Sequence, residues 1–155
     1  MDKTVSLRPA VEADFPAIKE LIRKARINPT RLDWRRFTVA ISRFTPSGDE
    51  KSELVGCVQL KPVPGGLVEL ASLVVRSDFR GQGLARLLIE HILAESPRPL
   101  YLTCRSGLGV FYEKFGFQAL DTVEMPRYYF RLHRIIGALT HLTLRNETLL
   151  VMKLG

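Results

Sequence analysis

Cysteine and histidine are scarce in this chain, and the shortage argues against several kinds of chemistry. Only two cysteines occur among 155 residues, Cys57 and Cys104, and both fall in predicted strands. Neither has the spacing of a metal ligand, and His91, His133 and His141 have no such spacing either. We therefore expect no metal site. We also expect no covalent cysteine intermediate, because neither thiol has a matched base.

Long hydrophobic runs are missing as well. No stretch approaches the roughly 18 consecutive apolar residues that a membrane helix needs. The first residues, 1–9, contain no apolar segment typical of a secretory signal. The sequence therefore predicts no membrane partner and a cytoplasmic location. Its length is that of one ordinary domain, so we expect a single domain over residues 1–155.

Acidic residues are fewer than basic ones, with 16 Asp and Glu against 23 Lys and Arg and a net charge of +7. A nucleic-acid-binding module has such a charge. However, the sequence has no helix-turn-helix, zinc-ligand or aromatic RNA-binding motif, so no nucleic-acid partner is expected. The positive charge has two other interpretations: the arginines bind a small polyanion, or the charges lie on an ordinary solvated surface.

Hydrophobic periodicity predicts an α/β fold with a mixed sheet. Polar residues and breakers at 45–53 predict a hairpin loop. The predicted strands are 5–8, 37–42, 54–60, 67–75, 100–104, 117–123 and 147–154. The predicted helices are 14–25, 84–95, 107–115 and a basic amphipathic helix at 125–136.

The most informative segment joins the predicted strand at 67–75 to the predicted helix at 84–95. Arg80-Gly81-Gln82-Gly83-Leu84-Ala85 lies between the two. The first turn of a helix leaves backbone N–H groups unpaired, and the helix dipole favours negative charge there. The glycines permit positive φ and close approach to the main chain. This segment therefore predicts a pyrophosphate site.

Two common phosphate motifs do not match this segment. A dinucleotide fingerprint requires a third glycine where Arg86 stands, and a P-loop requires a longer loop that ends in Gly-Lys-Ser/Thr. In the predicted helix that follows, a mainly apolar stripe recurs at helical spacing, formed by Leu84, Leu87, Leu88, His91 and Ile92.

A second segment, Phe111-Tyr112-Glu113-Lys114-Phe115-Gly116-Phe117, reads as the end of a helix and the start of a strand. Together with the first segment it resembles the GNAT superfamily of N-acetyltransferases, over about residues 4–123. Arg80, Gly83 and Ala85 match the family signature R/Q-x-x-G-x-G/A, and residues 111–117 resemble its F-Y-E-K-x-G-F segment. The resemblance implies the GNAT (acyl-CoA N-acyltransferase) fold, with a mixed central sheet of about six to seven strands flanked by helices.

The resemblance also implies acetyl-CoA as the acetyl donor and particular residues that would bind it. Backbone groups of Leu73, Val74 and Val75 would hold the pantetheine arm and polarise the thioester, while their side chains belong to the core. The pyrophosphate would lie against Arg80, Gly81, Gln82, Gly83, Leu84, Ala85 and Arg86. Many relatives have asparagine seven residues before the tyrosine, but this chain has Arg105 followed by Ser106, and either is a candidate contact instead.

Tyr112 and Glu69 are the candidate catalytic residues. By resemblance, Tyr112 would donate a proton to the leaving thiolate, and its alternative role is a core aromatic residue. Glu69 precedes Val75 by six residues, which in a regular strand places both side chains on one face. It would be the base that deprotonates the amine; a carboxylate in solvent or in an ion pair is the alternative.

The acceptor is a primary amine that the sequence does not identify, either a small molecule or a peptide. The chemistry expected is direct transfer in a ternary complex. The arginines of the basic helix at 125–136 suit a carboxylate-bearing acceptor, and the alternatives are a homodimer contact or a partly covered surface helix. A non-catalytic acetyl-CoA sensor of the same fold is the alternative to an enzyme, and a nucleic-acid-binding module is a weaker one.

Overall fold

The structure is a computed structural model in which residues 4–44, 47–143 and 148–155 are described. Its strands are β1 (Val5–Pro9), β2 (Phe37–Phe44), β3 (Glu50–Val63), β4 (Leu67–Val75), β5 (Leu100–Arg105), β6 (Gln118–Ala119) and β7 (Leu149–Leu154). Its α-helices are α1 (Phe15–Ala25), α2 (Leu84–Glu95), α3 (Gly109–Glu113) and α4 (Arg127–Thr143). Short 3₁₀ turns precede several of these elements.

The described strands form one mixed sheet in the order β1-β2-β3-β4-β5-β7-β6. The pairs β1–β2, β2–β3, β5–β7 and β6–β7 are antiparallel. Strands β4 and β5 run parallel and pair at Val68–Leu100 and Glu69–Tyr101. The expected α/β fold with about six to seven strands is confirmed.

The chain divides into two compact units, and it crosses between them inside β3, inside β4 and directly after α2. The first unit contains Met1–Leu60 and Ala71–Glu95, and the second contains Lys61–Leu70 and Ser96–Gly155. In the first unit, the apolar stripe of α1 packs on the sheet. Its buried core comprises Ala10, Ile18, Leu21, Ile22, Phe37, Val39, Cys57 and Val74. Each large apolar side chain buried there contributes about 1.5–3 kcal/mol.

Helix α1 has clear start and stop signals. Before it, Asp14 forms an ion pair with Arg8 at 2.7 Å and accepts the backbone N–H of Val11 at 2.8 Å. Pro16 lies in the first turn, where its missing N–H costs nothing. Arg26 ends the helix in the left-handed conformation, with φ of 56°. The predicted helix over 14–25 is therefore confirmed to within one residue.

The second unit has its own core between α4 and the sheet. Val63, Tyr101, Tyr129 and Val151 are its buried members. The rings of Tyr101 and Tyr129 stack with their centroids 5.3 Å apart. The predicted helix over 125–136 contains Pro126 in its first turn, whereas α4 begins directly after this proline, at Arg127, and continues seven residues beyond the predicted end.

Several predicted boundaries are wrong. Strand β3 already begins at Glu50 and continues through Pro62 to Val63, so the predicted loop over 45–53 is shorter; Thr45 and Pro46 lie outside the described residues. The predicted strand over 117–123 pairs only at Gln118–Ala119. Strand β7 begins at Leu149, and Glu147 lies outside the described residues.

Two predicted helix details also differ from the structure. In α2, Leu87 is 45% exposed and Ile89 is buried in its place, so the apolar stripe is rotated from the predicted one. The predicted helix over 107–115 is a 3₁₀ turn at Ser106–Leu108 followed by the five residues of α3. No described helix combines the length and apolar character that crossing a membrane would require.

Candidate functional site

The turn between β4 and α2 has the geometry that its glycines predict. Gly81 and Gly83 have φ of 76° and 78°, in the left-handed region that disfavours a side chain. A Cβ built at either glycine meets no atom of the described residues within 4 Å. Arg80 and the three residues after it are exposed. The turn therefore leaves its main chain open to a ligand.

The start of α2 supplies unpaired N–H groups beside this turn. The N–H of Leu87 donates to the carbonyl oxygen of Gly83 at 3.0 Å, in the i to i−4 pattern of an α-helix. The N–H groups of Leu84, Ala85 and Arg86 therefore belong to the first turn, where an α-helix offers them no partner of its own. With the positive end of the helix dipole, they make this end of α2 suited to a phosphate or diphosphate.

The two arginines of the turn are held by the protein itself. The Nε of Arg80 donates to the carbonyl oxygen of Val75 at 3.1 Å, which ties the turn to the end of β4. The Nε of Arg86 contacts Glu90 at 2.8 Å along the exposed face of α2. This pairing raises the pKa of Arg86, mainly through the hydrogen bond to Glu90.

An ion-pair network that the sequence did not suggest fixes the same turn. Arg76 contacts Asp78 at 2.7 Å and Glu53 of β3 at 3.0 Å. Its guanidinium also lies 5.1 Å from the ring centre of Phe79, which is buried. These contacts raise the pKa of Arg76, with the Asp78 hydrogen bond as the largest cause. Only the spacing of Arg76 and Asp78 could have indicated the network.

Strand β4 does not have a regular pleat throughout. Ser72 has φ of 56°, so side chains before and after it do not alternate as in a regular strand. The prediction that Glu69 and Val75 share a face assumed regular alternation, and that premise is wrong. Val74 and Val75 are buried and Leu73 is half-buried, as core residues should be.

The backbone N–H of Val74 interacts with Cys57. It hydrogen-bonds to the sulfur of Cys57, while burial raises the pKa of that thiol to about 12. Cys57 is therefore a protonated core residue at neutral pH.

Glu69 is buried among polar groups of the second unit. Burial raises the pKa of its carboxyl, and the opposing influences are the charge of Lys61 and the nearby hydroxyl groups of Tyr129 and Thr103. The buried Tyr129 hydroxyl makes no hydrogen bond of regular geometry with any described residue, although Glu69 lies close enough to raise its pKa. The burial of Glu69 excludes the alternative of a carboxylate in solvent. The alternative of an ion pair is consistent with the presence of Lys61, which is also buried.

Lys61, Thr103 and Tyr129 are the residues around Glu69 that sequence reasoning missed. They come from β3, β5 and α4, and the sequence offers no spacing that links them to Glu69. Tyr129 falls inside the predicted basic helix, but the pattern of that helix did not single out Tyr129 as a buried residue.

Tyr112 is a buried residue of α3. Its ring packs edge-on against Phe111 at 5.1 Å and Phe117 at 6.1 Å between centroids. Burial, with a smaller contribution from Cys104, raises the pKa of Tyr112 to about 12. Its hydroxyl is therefore protonated at neutral pH, which both a proton donor and a core phenol require.

Arg105 and Ser106 lie at the end of β5. Ser106 is already engaged, since its N–H donates to the carbonyl oxygen of Thr148 at 2.8 Å and its hydroxyl accepts the N–H of Thr148 at 3.3 Å. Arg105 is exposed. Among the residues that the structure describes, no group of His, Cys, Asp and Glu is placed to hold a metal ion.

Comparison with known proteins identifies the family of the chain. The model of the "Acetyltransferase (GNAT) domain" family matches residues 33–119, more than half of the chain, including β2 to β6 and the glycine turn. An uncharacterized N-acetyltransferase of Chlorobaculum tepidum is 30% identical over 84 residues, which are 51% of this chain and 52% of that protein. The match thus spans about half the length of this curated relative.

Solved structures share the fold at low sequence identity. The N-acetylglutamate synthase of Neisseria gonorrhoeae, complexed with coenzyme A and N-acetyl-glutamate, aligns with a TM-score of 0.68 and 24% identity. That alignment covers 100% of this chain and 36% of the synthase. Rv2747 of Mycobacterium tuberculosis, in complex with CoA, has a TM-score of 0.66 and 18% identity over 94% of this chain and 97% of its own. Taken with the family match, these results show that the chain belongs to the GNAT acetyltransferase family.

Proposed function

We propose that the chain is an N-acetyltransferase that moves the acetyl group of acetyl-CoA to a primary amine by direct transfer in a ternary complex. The observation that carries this proposal is the exposed turn at 80–83, with two left-handed glycines directly before α2. Its open main chain and the free N–H groups of the helix fit a diphosphate. When bound, acetyl-CoA supplies a thioester whose acetyl carbon accepts the amine.

The binding roles follow the family signature onto this chain. Main-chain groups of the turn and of the first turn of α2, at 80–86, would hold the diphosphate. The backbone of Leu73, Val74 and Val75 would hold the pantetheine arm, although the Val74 N–H also faces the Cys57 sulfur. Arg105 stays a candidate cofactor contact. Ser106 does so too, because its hydroxyl accepts the N–H of Thr148 and can still donate its own proton to the cofactor.

The catalytic roles rest on protonation states at neutral pH. Tyr112, with a pKa of about 12, is protonated and can donate to the departing thiolate. It is a weaker acid than an ordinary thiol, whose pKa is about 8.5, so we expect a hydrogen bond to the thiolate as the transition state forms. Glu69 has a raised pKa, which makes its carboxylate a stronger base than an exposed one.

The amine acceptor distinguishes the proposal from its alternatives. The purified protein is incubated with acetyl-CoA and a panel of amines: amino acids, polyamines, aminoglycosides, and peptides with free N-termini or lysines. Release of free CoA thiol is measured, and calorimetry with acetyl-CoA is run in parallel. Amine-dependent thiol release supports the enzyme. Binding without release from any amine supports an acetyl-CoA sensor, and the absence of binding at millimolar acetyl-CoA refutes both.

Three further expectations from the sequence remain predictions. They are a single acetyltransferase domain over residues 1–155, a cytoplasmic location, and a homodimer as one use of the basic helix α4. Sedimentation of the purified protein tests the last of these.

A further inference from the structure

A left-handed serine lies in the middle of β4. Ser72 has φ of 56°, a region that residues other than glycine, asparagine and aspartate seldom occupy. Such a conformation persists only where the surrounding structure determines it. Ser72 directly precedes Leu73–Val75, so its conformation sets the direction in which the following peptide groups point.

Two buried side chains of β3 hold Ser72 from the same face of the sheet. The Nε2 of Gln59 donates to the Ser72 hydroxyl at 2.8 Å. The thiol of Cys57 donates to the Ser72 carbonyl oxygen at 3.4 Å. Cys57 and Gln59 are two residues apart in the strand and therefore share a face, and both are fully inaccessible to solvent. One contact fixes the side chain of Ser72 and the other fixes its peptide group.

Packing alone does not explain a glutamine at this place. The side chain of Gln59 is completely buried, and its Oε1 has no hydrogen-bond partner among the described residues. A buried carbonyl oxygen without a partner is destabilising, and an apolar side chain of similar volume would avoid that cost. What Gln59 provides and an apolar residue cannot is the hydrogen bond to Ser72.

We propose that Gln59 is a positioning residue: it holds Ser72 in the left-handed conformation and thereby presents the main chain of Leu73–Val75 to the pantetheine arm of acetyl-CoA. Cys57 is the second support, through the Ser72 carbonyl oxygen. A single left-handed residue rotates the peptide groups that follow it out of a regular ladder, which is how bulges re-aim a strand beside a site. This inference rests on the proposed function for the identity of the ligand.

The test compares Gln59→Met in two backgrounds. Methionine nearly keeps the volume but cannot donate to Ser72. In the second background, Ser72→Gly, glycine adopts positive φ without help, so Gln59 should no longer be needed. With serine at position 72, we expect Gln59→Met to weaken acetyl-CoA binding about tenfold, a loss of about 1.4 kcal/mol. With glycine at position 72, the same substitution should weaken binding about twofold or less. Ser72→Ala, which removes the same hydrogen bond, should resemble Gln59→Met.

Two measurements decide the outcome. Calorimetry gives the affinity in each background, and an equal loss in both would mean that Gln59 only fills the core and would overturn the proposal. The three-bond HN–Hα coupling of Ser72, measured without acetyl-CoA, should move toward the larger value of extended backbone in Gln59→Met. An unchanged coupling would equally overturn it. The coupling is measured without ligand, so it shows whether Gln59 holds Ser72 even if the wild-type protein binds no acetyl-CoA. The absence of acetyl-CoA binding would refute the proposed function, and the coupling would still test the role of Gln59.

Discussion

Gly83 and Gly66 form a matched pair for testing whether the turn before α2 binds acetyl-CoA. Both are left-handed, with φ of 78° and 73°, and a Cβ added at either meets no atom of the described residues within 4 Å. Gly83 lies in the proposed diphosphate turn, whereas Gly66 lies in the turn between β3 and β4. Alanine at the two positions therefore imposes the same backbone strain in two different places.

The cost to stability can be worked out from the backbone. The left-handed region costs a residue with a Cβ about 1–2 kcal/mol. The smaller conformational freedom of alanine in the unfolded chain offsets about 0.4–1 kcal/mol of that. Gly83→Ala and Gly66→Ala should thus each lower the free energy of unfolding by about 1 kcal/mol, and to a similar extent.

The cost to binding should differ sharply between the two variants. In Gly83→Ala the methyl group extends into the open space at the turn, where the diphosphate would approach the main chain. Loss of one charge-assisted hydrogen bond costs about 1.5–3 kcal/mol, which lowers the affinity for acetyl-CoA roughly 10- to 150-fold. Gly66→Ala should leave that affinity within about twofold of the wild type.

Urea denaturation measures the stability of both variants, and calorimetry with acetyl-CoA measures their affinity. Equal affinities in the two variants would show that the turn is a structural feature only. The diphosphate assignment would then be wrong, even if the protein still released CoA thiol. A loss of binding in Gly66→Ala alone would contradict the placement of the site as well.

Three other substitutions test the chemistry and the packing. Tyr112→Phe should lower kcat at least about 100-fold, the contribution typical of a general acid, with acetyl-CoA affinity unchanged by calorimetry; wild-type turnover would remove Tyr112 from the mechanism. Because Glu69 must be ionised to act as a base, kcat/KM should fall as the pH drops through the raised pKa of Glu69. Glu69→Gln should abolish this acidic limb of the pH–rate profile, and an unchanged profile would reject Glu69 as the base. Gly56→Ala places a Cβ 3.1 Å from Leu88 Cδ1 and should destabilise the protein by about 1–3 kcal/mol in urea denaturation. Gly137→Ala in α4, where a Cβ meets no atom of the described residues within 4 Å, should not.

Local sequence patterns predicted the elements around the turn well, because the signals there are local. Strand β4 has the predicted bounds, since a mainly apolar segment is closed by polar residues on its C-terminal side. Helix α2 ends at Glu95 as predicted, before the breaker that contains Pro97. Both glycines of the turn have a positive φ, which the sequence pattern permits.

The features that the sequence did not reveal depend on distant contacts. Ser72 has no intrinsic preference for the left-handed region, so only its contacts with β3 account for the irregularity in β4. The polar surroundings of Glu69 combine Lys61, Thr103 and Tyr129 from three separate elements. The apolar stripe of α2 differs from the prediction because Leu87 and Ile89 are both apolar, and only packing decides which one is buried.

The protonation states of the buried groups favour direct transfer over a covalent route. Burial raises the pKa of Cys57 to about 12 and also raises that of Cys104, so both thiols are protonated at neutral pH and are poor nucleophiles. Tyr112 is protonated for the same reason and is suited only to donate. Glu69 is the carboxyl whose burial moves its pKa toward neutrality, and it can accept a proton from an ammonium group. Tyr112 as proton donor and Glu69 as proton acceptor suit a reaction in which the amine itself attacks the thioester. An acetyl-cysteine intermediate would need a thiolate, and the burial of both cysteines disfavours that form.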